Sequence, residues 1–578
     1  MREGPTTSST PEGPEGQDAR AGGDRRVESG TPERRDRPGG RDDLVETEHA
    51  EGDGNRDDLS EGERAPAAPG RTVLVRRLGL AVGLVAAVVI YLIMPAEAPH
   101  AARLTAATAV LMAVWWMTEA LPIPATALVP VVVFPVLNTD VGFDDVGGSY
   151  GNNIVFLFMG GFMLALAMQR WNLHRRIALA IVAAIGTSPS LLILGFMVAT
   201  GFISMWVSNT ATAVMMLPIG VSVLLLVNKL RLEDAATKGE EPGEGVDPDP
   251  SAEGTASKAV RSNFGAALML GIAYSASIGS LATIIGTPPN ALLAAHMSQD
   301  FDVTIGFGRW MVVGAPLALV FMAIAWVLLT KVIFRPEITE IPGGAELIRD
   351  ERRKLGSISS GEVRVLTIFV LAALSWVFVP LIWRLVSEGD PPISDAGIAM
   401  LVALLLFLLP AGAARGVRLL DWEAAVKLPW GVLLLFGGGL ALSAQFTSSG
   451  LTDWIGEVTQ QLGGLPMVLI VVIAAAGILF LTELTSNTAT AATFLPVATA
   501  VATGIGIDPM LLAIPVALAA TSAFMLPVAT PPNAIAYGSG YVQIPQMAKA
   551  GVWLNLIGIV LITAATMTLA VWVFGLVY

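Results

Sequence analysis

Two short motifs of hydroxyl and amide side chains each occur twice in this chain. The sequence Ser-Asn-Thr-Ala-Thr stands at residues 208–212 and again at 486–490, and Thr-Pro-Pro-Asn-Ala stands at 287–291 and again at 530–534. All four segments lie in apolar surroundings and contain no Lys, Arg or His. Hydroxyl, amide and backbone oxygens are ligands for hard cations, and helix N-termini attract anions without a cationic side chain. The motifs therefore predict ion binding rather than covalent chemistry.

The composition indicates a membrane protein and excludes several enzyme classes. The 578 residues are 53% hydrophobic and only 14% charged, whereas soluble domains carry roughly 25% charged residues. There is no cysteine and there are four histidines, so disulfides, zinc–thiolate sites, cysteine-ligated iron–sulfur clusters and thiol catalysis are excluded. The motifs offer neither a nucleophile with a base nor a catalytic metal cluster, which disfavours an intramembrane enzyme. A channel remains as another alternative.

The net charge of −13 comes from two segments. Residues 1–71 carry −7, residues 232–257 carry another −7, and the remainder of the chain carries +1. Polar, acidic segments cannot bury enough apolar surface to offset chain entropy. We expect 1–71 to be a disordered acidic tail without a signal peptide, and 232–257 to be a solvated acidic loop, both cytoplasmic.

Apolar runs long enough for a membrane helix recur along the chain. The first covers residues 73–94, and about 20 apolar residues span a bilayer. Further spans are expected near residues 104–117, 120–137, 153–169, 177–200, 310–334, 365–383, 396–412, 430–446 and 549–577. Lys and Arg beside the ends of such runs mark the cytoplasmic side. The N-terminus and the loops 229–262 and 335–362 are therefore predicted to be cytoplasmic.

The motif copies stand at fixed offsets, which indicates a duplicated unit. The Ser-Asn-Thr copies are 278 residues apart, as are the glycine-rich segments 158–161 and 436–439, while the Thr-Pro-Pro-Asn copies are 243 apart. The difference of 35 residues is close to the length of the acidic loop, which occurs only in the first half. We expect a first repeat at 73–310, a linking span and cytoplasmic loop at 311–360, and a second repeat at 361–578.

The two repeats are expected to have opposite orientations in the membrane. Lys229 and Arg231 follow the first Ser-Asn-Thr stretch, whereas the corresponding residues 501–510 contain no Lys or Arg. An inverted-topology repeat is an architecture of secondary transporters.

Each motif predicts a different interruption of a helix. The Ser-Asn-Thr stretches, about 191–227 and 467–501, are long for one span and short for two, which favours a re-entrant hairpin with a polar tip. Pro-Pro removes two amide donors, so 265–295 and 511–541 should be spans broken in the middle, with free carbonyls just before each Thr-Pro-Pro. The structural alternative is that these polar residues join ordinary helices.

Glu483 lies within the second predicted hairpin. A carboxylate in the membrane is a functional candidate by default, but the offset of 278 places Met205 at the matching position. The acid is therefore outside the repeat. Proton or cation handling and a purely structural role both remain open for it.

At these residues the chain resembles the divalent anion:sodium symporter family of di- and tricarboxylate transporters. The resemblance covers about residues 73–578 and rests on the segments 204–210, 286–290, 482–488 and 529–533. It implies an all-α polytopic membrane protein with an inverted repeat, about eleven transmembrane helices and two re-entrant hairpins. It also implies a homodimer and elevator-type alternating access.

The resemblance further implies two sodium sites and a substrate site. The first sodium site would comprise Ser204, Ser208, Asn209 and the Gly286 carbonyl. The second would comprise Thr482, Ser486, Asn487 and the Ala529 carbonyl. The implied substrate-binding residues are Ser208, Asn209, Thr210, Thr287, Pro288, Ser486, Asn487, Thr488, Thr530 and Pro531.

The function expected from the residues and the resemblance together is sodium-coupled import of carboxylates such as succinate, malate or fumarate. The expected setting is the plasma membrane or inner membrane, with the lipid bilayer and a small anionic substrate as partners and no nucleic acid. Because no cationic side chain lies in the motifs, helix ends and bound sodium would have to balance the anion. A sodium-independent dicarboxylate exchanger and a symporter for sulfate or another oxyanion are the alternatives.

Overall fold

The computed structural model describes residues 70–238, 262–338, 340–387 and 391–577. Most of the predicted acidic tail, residues 1–69, and residues 239–257 of the predicted acidic loop lie outside these ranges. Within them the chain is helical, and the β-structure amounts to one isolated bridge between Pro410 and Arg418.

The first part of the chain contains helices of very unequal length. In order they are α1 (Gly70–Ile93), α2 (His100–Thr118), α3 (Ile123–Thr126), α4 (Val129–Leu137), α5 (Phe143–Gly147), α6 (Asn153–Arg170), α7 (Leu173–Ile185), α8 (Pro189–Ser204), α9 (Asn209–Lys238), α10 (Asn263–Ser280), α11 (Pro288–Phe301) and α12 (Phe307–Val327). A short 3-10 turn (Gly148–Gly151) precedes α6, and a π-helical segment (Leu328–Ile333) continues α12.

The later part repeats much of this order. Its helices are α13 (Gly344–Lys354), α14 (Ser360–Val386), α15 (Asp395–Leu408), α16 (Trp422–Ala425), α17 (Trp430–Ser448), α18 (Leu451–Thr459), α19 (Met467–Thr482), α20 (Asn487–Gly504), α21 (Met510–Thr521), α22 (Pro531–Gly538), α23 (Ile544–Ala565) and α24 (Val571–Phe574). A 3-10 segment (Gln460–Gly464) follows α18, and a π-helical segment (Thr566–Ala570) links α23 to α24.

Helix lengths agree with a polytopic membrane protein. Among the described residues, eight helices are long and apolar enough to cross a bilayer. Shorter apolar helices of 10–17 residues include α8 and α19, which form the first arms of the two hairpins, and α21, which precedes the second helix break. Because half-helices are too short to be counted singly as spans, the expected total of about eleven spans stays a prediction.

The predicted interruptions are confirmed as helix ends. The pairs α8–α9 and α19–α20 are joined by four residues each, 205–208 and 483–486, at the predicted Ser-Asn-Thr motifs. The broken helices separate α10 from α11 at 281–287 and α21 from α22 at 522–530. Both α11 and α22 begin with the Pro-Pro pair, since the first helical turn needs no amide donor and the proline ring fixes a helical φ.

The single span expected at 177–200 is wrong. Helix α7 ends at Ile185, Gly186 has a φ of 125°, and the hairpin limb α8 starts at Pro189. A positive φ of this kind is open to glycine and rarely to other residues. Hydrophobicity alone did not detect this turn because apolar residues flank it on both sides.

Candidate functional site

The two hairpin tips and the two helix breaks line one cavity. Its volume is about 1380 Å³. All ten residues expected at the substrate site line it, together with Gly286 and Ala529: Ser208, Asn209, Thr210, Thr287, Pro288, Ser486, Asn487, Thr488, Thr530 and Pro531. Motifs up to 322 residues apart in sequence therefore converge on a single space.

Four helix N-termini meet at this cavity. Helices α9, α11, α20 and α22 begin at Asn209, Pro288, Asn487 and Pro531, and each of these residues lines it. The first amides of a helix lack intrahelical partners, and the aligned peptide dipoles place about half a positive charge there. The convergence makes the cavity favourable for an anion.

Behind the first hairpin tip lies a buried cluster of oxygen atoms. The Oγ of Ser204 is 2.6 Å from Oδ1 of Asn209 and 2.6 Å from the carbonyl oxygen of Ala276. Ser204 is fully buried and does not line the cavity. The close approach depends on glycine, because a Cβ at Gly279 would lie 2.2 Å from the carbonyl oxygen of Gly201.

The second tip repeats this cluster. The Oγ1 of Thr482 is 2.9 Å from Oδ1 of Asn487 and 2.9 Å from the carbonyl oxygen of Ala520. Thr482 is also fully buried. The directly contacting carbonyls are therefore those of Ala276 and Ala520, which the sequence did not indicate. Gly286 and Ala529, whose carbonyls are expected as sodium ligands, line the cavity.

The asparagine of each Thr-Pro-Pro-Asn motif forms a hydrogen bond across its helix break. The Nδ2 of Asn290 donates to the carbonyl of Thr283 at 2.9 Å, and Nδ2 of Asn533 donates to the carbonyl of Leu526 at 3.1 Å. Both bonds reach back seven residues, so the two breaks share one geometry. These matching contacts support the duplication inferred from the motif offsets.

Glu483, at the tip of the second hairpin, forms hydrogen bonds with the second helix break. It is 3% exposed, and its carboxylate accepts hydrogen bonds from the backbone amides of Phe524, Met525 and Leu526 at 2.7–3.2 Å. The side-chain amide of Asn555 donates a further bond at 2.7 Å. In the first half, Thr283 donates to the backbone carbonyl of Met205 instead. The two halves therefore fasten hairpin to break by different chemistry.

The cavity also carries charged residues that the motif analysis missed. Arg76 from α1, Lys427 from the turn before α17, and Glu119 after α2 line it, and all three are exposed. The inference that only helix ends and bound sodium could balance an anion is therefore incomplete. All three residues lie outside the repeated motifs, so the motifs alone do not place them on the cavity wall.

The comparisons with known proteins agree with this architecture. The family described as "Sodium:sulfate symporter transmembrane region" matches residues 75–576. A protein named sodium-dependent dicarboxylate transporter SdcS from Staphylococcus saprophyticus is 43% identical over 455 residues, which is 78% of this chain and 83% of that protein.

A second relative and one solved structure are also similar to this chain, to very different degrees. SdcS from Staphylococcus aureus is 42% identical over 472 residues, 81% of this chain and 86% of that protein. The crystal structure of the Alcanivorax borkumensis YdaH transporter is a distant likeness, with a TM-score of 0.46 and 15% identity over 87% of this chain and 98% of that one. The match across the whole helical region shows that this chain belongs to the sodium:sulfate symporter family, the divalent anion:sodium symporters that its paired motifs resemble.

Proposed function

We propose that the protein is a secondary active transporter that imports di- or tricarboxylates, such as succinate, malate or fumarate, together with sodium. The observation that carries this proposal is the convergence of both hairpin tips and both helix breaks on one cavity. The relatives named as sodium-dependent dicarboxylate transporters support the choice of ion and substrate.

Sodium would occupy the two oxygen clusters behind the tips. Ser204 has one hydroxyl proton but two acceptors at 2.6 Å, and Thr482 likewise has two acceptors at 2.9 Å. A cation among these oxygens satisfies the acceptors that the proton cannot serve. Ser208 and Ser486, with the carbonyls of the helix breaks, would complete each coordination shell.

The carboxylates would bind across the cavity. Asn209 and Thr210 would contact the substrate from one side and Asn487 and Thr488 from the other, with the Thr-Pro segments of the breaks nearby. The charge of a dianion would be balanced by sodium, by the helix N-termini, and at longer range by the cationic residues of the cavity wall. Sodium binding would organise the tips and so create the anion site, which couples the two fluxes.

The larger-scale features belong to the same proposal. The chain would form a homodimer in the plasma membrane with its N-terminus in the cytoplasm, and the inverted repeats would carry the cavity across by an elevator-type movement. Such a movement would carry both hairpin tips together with the substrate between them, so the site would not need to be dismantled during transport.

Uptake by purified protein in proteoliposomes tests the proposal. Labelled succinate should accumulate in vesicles only when sodium is higher outside, and no internal counter-substrate should be needed. Uptake that requires internal dicarboxylate and ignores the sodium gradient would identify an exchanger instead.

The second candidate is a symporter for sulfate or another oxyanion. The family description names sulfate, and hydroxyl and amide donors bind tetrahedral and planar anions alike. Competition decides between the candidates: excess unlabelled sulfate should leave succinate uptake unchanged if the carboxylate is the substrate.

A further inference from the structure

Three exposed arginines lie together at one end of α14 and α15. Arg364 stands near the start of α14, and Arg415 and Arg418 belong to the segment 409–421 that follows α15. In the part of the chain that the structure describes, none of the three forms an ion pair with a carboxylate. They do not line the transport cavity, so the function proposed above gives them no role.

Neighbouring acids do not neutralise these three charges. Glu362 and Asp421 flank the arginines in sequence, but Glu362 pairs with Arg176 at 2.7 Å and Asp421 pairs with Arg170 at 2.5 Å. The three guanidinium groups therefore form a patch of net positive charge. Such a patch attracts an anion, since like charges brought together without a counter-ion raise the local potential.

Backbone carbonyls hold two of the guanidinium groups close to each other. Arg364 donates a hydrogen bond to the carbonyl of Pro410, and Arg418 donates one to the carbonyl of Leu408. Cations are favourable beside the last carbonyls of a helix, which accounts for these two bonds at the end of α15. A guanidinium group has five N–H donors, so each of the two keeps donors for another partner. Capping of α15 also gives no role to Arg415.

The segment that carries Arg415 is a tight turn fastened to α14. The backbone amide of Ala411 donates to the carbonyl of Val417 at 2.8 Å, and Gly416 has a φ of 82°, a conformation that glycine adopts more readily than other residues. The hydroxyl of Ser360, the first residue of α14, donates to the carbonyl of Ala411 at 2.8 Å. The fold therefore keeps Arg415 at the same end of α14 as the other two arginines.

Beyond the arginines, α14 presents exposed apolar side chains. At 1.5 Å per residue its 27 residues extend roughly 40 Å. This exceeds the ~30 Å of the hydrocarbon core of a bilayer, so the first turns of α14 reach the headgroup region. Leu371 and Phe378 follow Arg364 at heptad spacing, which places all three on one stripe of the helix. Their side chains are 57% and 45% exposed, so a cationic end continues into an apolar stripe.

We propose that Arg364, Arg415 and Arg418 bind the phosphate of an anionic phospholipid whose acyl chains lie along the exposed stripe of α14. The planar guanidinium fork matches the oxygens of a phosphate group, and basic side chains at the membrane surface attract anionic lipids. A soluble phosphate compound would gain nothing from Leu371 and Phe378. A zwitterionic lipid brings its own cation next to its phosphate, so three unpaired arginines favour a lipid with net negative charge.

Lipid binding by the purified full-length protein in detergent tests this proposal, and its outcome does not depend on the transported substrate. Native mass spectrometry should show that the wild type retains more phosphatidylglycerol than phosphatidylcholine. The triple variant Arg364→Gln/Arg415→Gln/Arg418→Gln should lose this preference, while its binding of phosphatidylcholine stays unchanged. Titration of the melting temperature with each lipid gives the affinities, and each arginine removed should weaken the affinity for phosphatidylglycerol about fivefold.

The variant Arg77→Gln/Arg349→Gln/Arg352→Gln is the matched control. It removes the same charge from exposed positions on α1 and α13, and it should keep the wild-type preference for phosphatidylglycerol. If the first triple variant does not fold, Arg415→Gln provides the decision, because Arg415 forms no hydrogen bond with the residues that the structure describes. This single variant should bind phosphatidylglycerol about fivefold more weakly than the wild type.

Four results would each overturn the proposal. The first is equal retention of the two lipids by the wild type, and the second is an equal loss of preference in both triple variants. The third is an equal rise in melting temperature with glycerol phosphate, which has the phosphate of the headgroup but no acyl chains. The fourth is a change in the number of chains per complex in the first triple variant with phosphatidylglycerol still bound, which would identify this face as an interface between copies of the chain.

Discussion

The hydroxyl of Ser204 lies 2.6 Å from the side-chain oxygen of Asn209, across the tip of the first hairpin. Thr482 makes the same contact with Asn487 across the second tip, at 2.9 Å. Each hydroxyl also touches a carbonyl of the facing broken helix, that of Ala276 or Ala520. A cation held in either cluster therefore joins a hairpin to a helix break.

This relationship predicts that each hydroxyl contributes to sodium affinity. Ser204→Ala and Thr482→Val should each raise the half-saturating sodium concentration by about tenfold or more, since a hydrogen bond or ligand to a charge is worth roughly 1.5–3 kcal/mol. Thr482→Ser, which retains the oxygen, should stay near the wild type. Sodium-dependent succinate uptake in proteoliposomes measures this effect.

Ser222→Ala is the matched control, because among the described residues Ser222 donates a hydrogen bond just to the Pro218 carbonyl of its own helix. If Ser204→Ala and Ser222→Ala show the same half-saturating sodium concentration, the oxygen cluster around Ser204 does not bind sodium.

Replacing Glu483 should lower the stability of the protein, because its carboxylate holds the second hairpin tip against the second helix break. Its carboxylate accepts from three consecutive backbone amides and from Asn555, and glutamine offers only one oxygen acceptor. Glu483→Gln should therefore lose roughly 1.5–3 kcal/mol of stability, in proportion to charge-assisted bonds left unmade. The thermal unfolding midpoint reports this loss, and Glu457→Gln, at an exposed position on α18, should show none. If Glu483→Gln is as stable as the wild type, the carboxylate has no structural role, and the alternative role in proton or cation handling is favoured.

Lys427 and Arg76 should attract the substrate through charge rather than bind it directly. Both line the cavity from outside the motifs, so Lys427→Gln and Arg76→Gln should raise the KM for succinate by about threefold or more at low ionic strength, with less effect in high salt. The half-saturating sodium concentration should not change. Glu119→Gln, which removes a negative charge from the same wall, should lower the KM.

Arg77→Gln controls for net charge, since Arg77 neighbours Arg76 on α1 but does not line the cavity. An equal rise in KM for Arg77→Gln and Arg76→Gln would attribute the effect to overall charge and not to the cavity wall.

The hairpins, the helix breaks and the residues lining the cavity could be predicted from the sequence because each motif occurs twice. Two copies at equivalent positions in two repeats indicate that both adopt the same local structure. The same offset of 278 residues separates Thr482 from Ser204, and their hydroxyls make matching contacts with Asn487 and Asn209. Carbonyl partners such as Ala276 could not be found in this way, since any residue supplies a carbonyl and only the packing of α8 on α10 selects one. Lys427 belongs to neither motif, so its place on the wall depends on tertiary structure.

The Glu351 carboxylate should make stability depend on acid pH. Burial raises the pKa of Glu351, but hydrogen bonds from Lys354 at 2.5 Å and Arg175 at 2.8 Å outweigh it and hold the pKa below its usual value. A lowered folded-state pKa stabilises the protein above about pH 4.3, and the contribution is lost as the pH falls through the folded-state pKa. The bond from Arg175 joins α7 to α13, so its loss loosens the contact between these two helices.

Glu351→Gln should therefore be less stable than the wild type near neutral pH, and the difference should shrink as the pH falls below about 4. Unfolding midpoints over this range measure it. Asp350→Asn removes an exposed carboxylate of the same helix and should track the wild type. A constant difference between Glu351→Gln and the wild type at all pH values would show that packing, and not the charge, is responsible.

Gly286 should be required by the geometry of the first helix break. A Cβ at this position would lie 2.3 Å from the carbonyl oxygen of Ser280, far inside van der Waals contact, so Gly286→Ala must displace the backbone next to Thr287. Such overpacking typically costs about 1–3 kcal/mol of stability. The displaced segment also lines the cavity, through Gly286 and Thr287. We expect lower thermal stability and a large loss of sodium-dependent succinate uptake.

The second half supplies the comparison, because alanine already stands at the matching position, residue 529. Ala529→Gly should keep most of the uptake, since it removes a methyl group without forcing a clash. Gly477→Ala tests glycine replacement in a hairpin limb where nothing lies within 4 Å of the added Cβ, and it should behave as the wild type. If Gly286→Ala transports as well as Gly477→Ala, the first break is free to move, and the close packing of Gly286 against Ser280 does not shape the binding site.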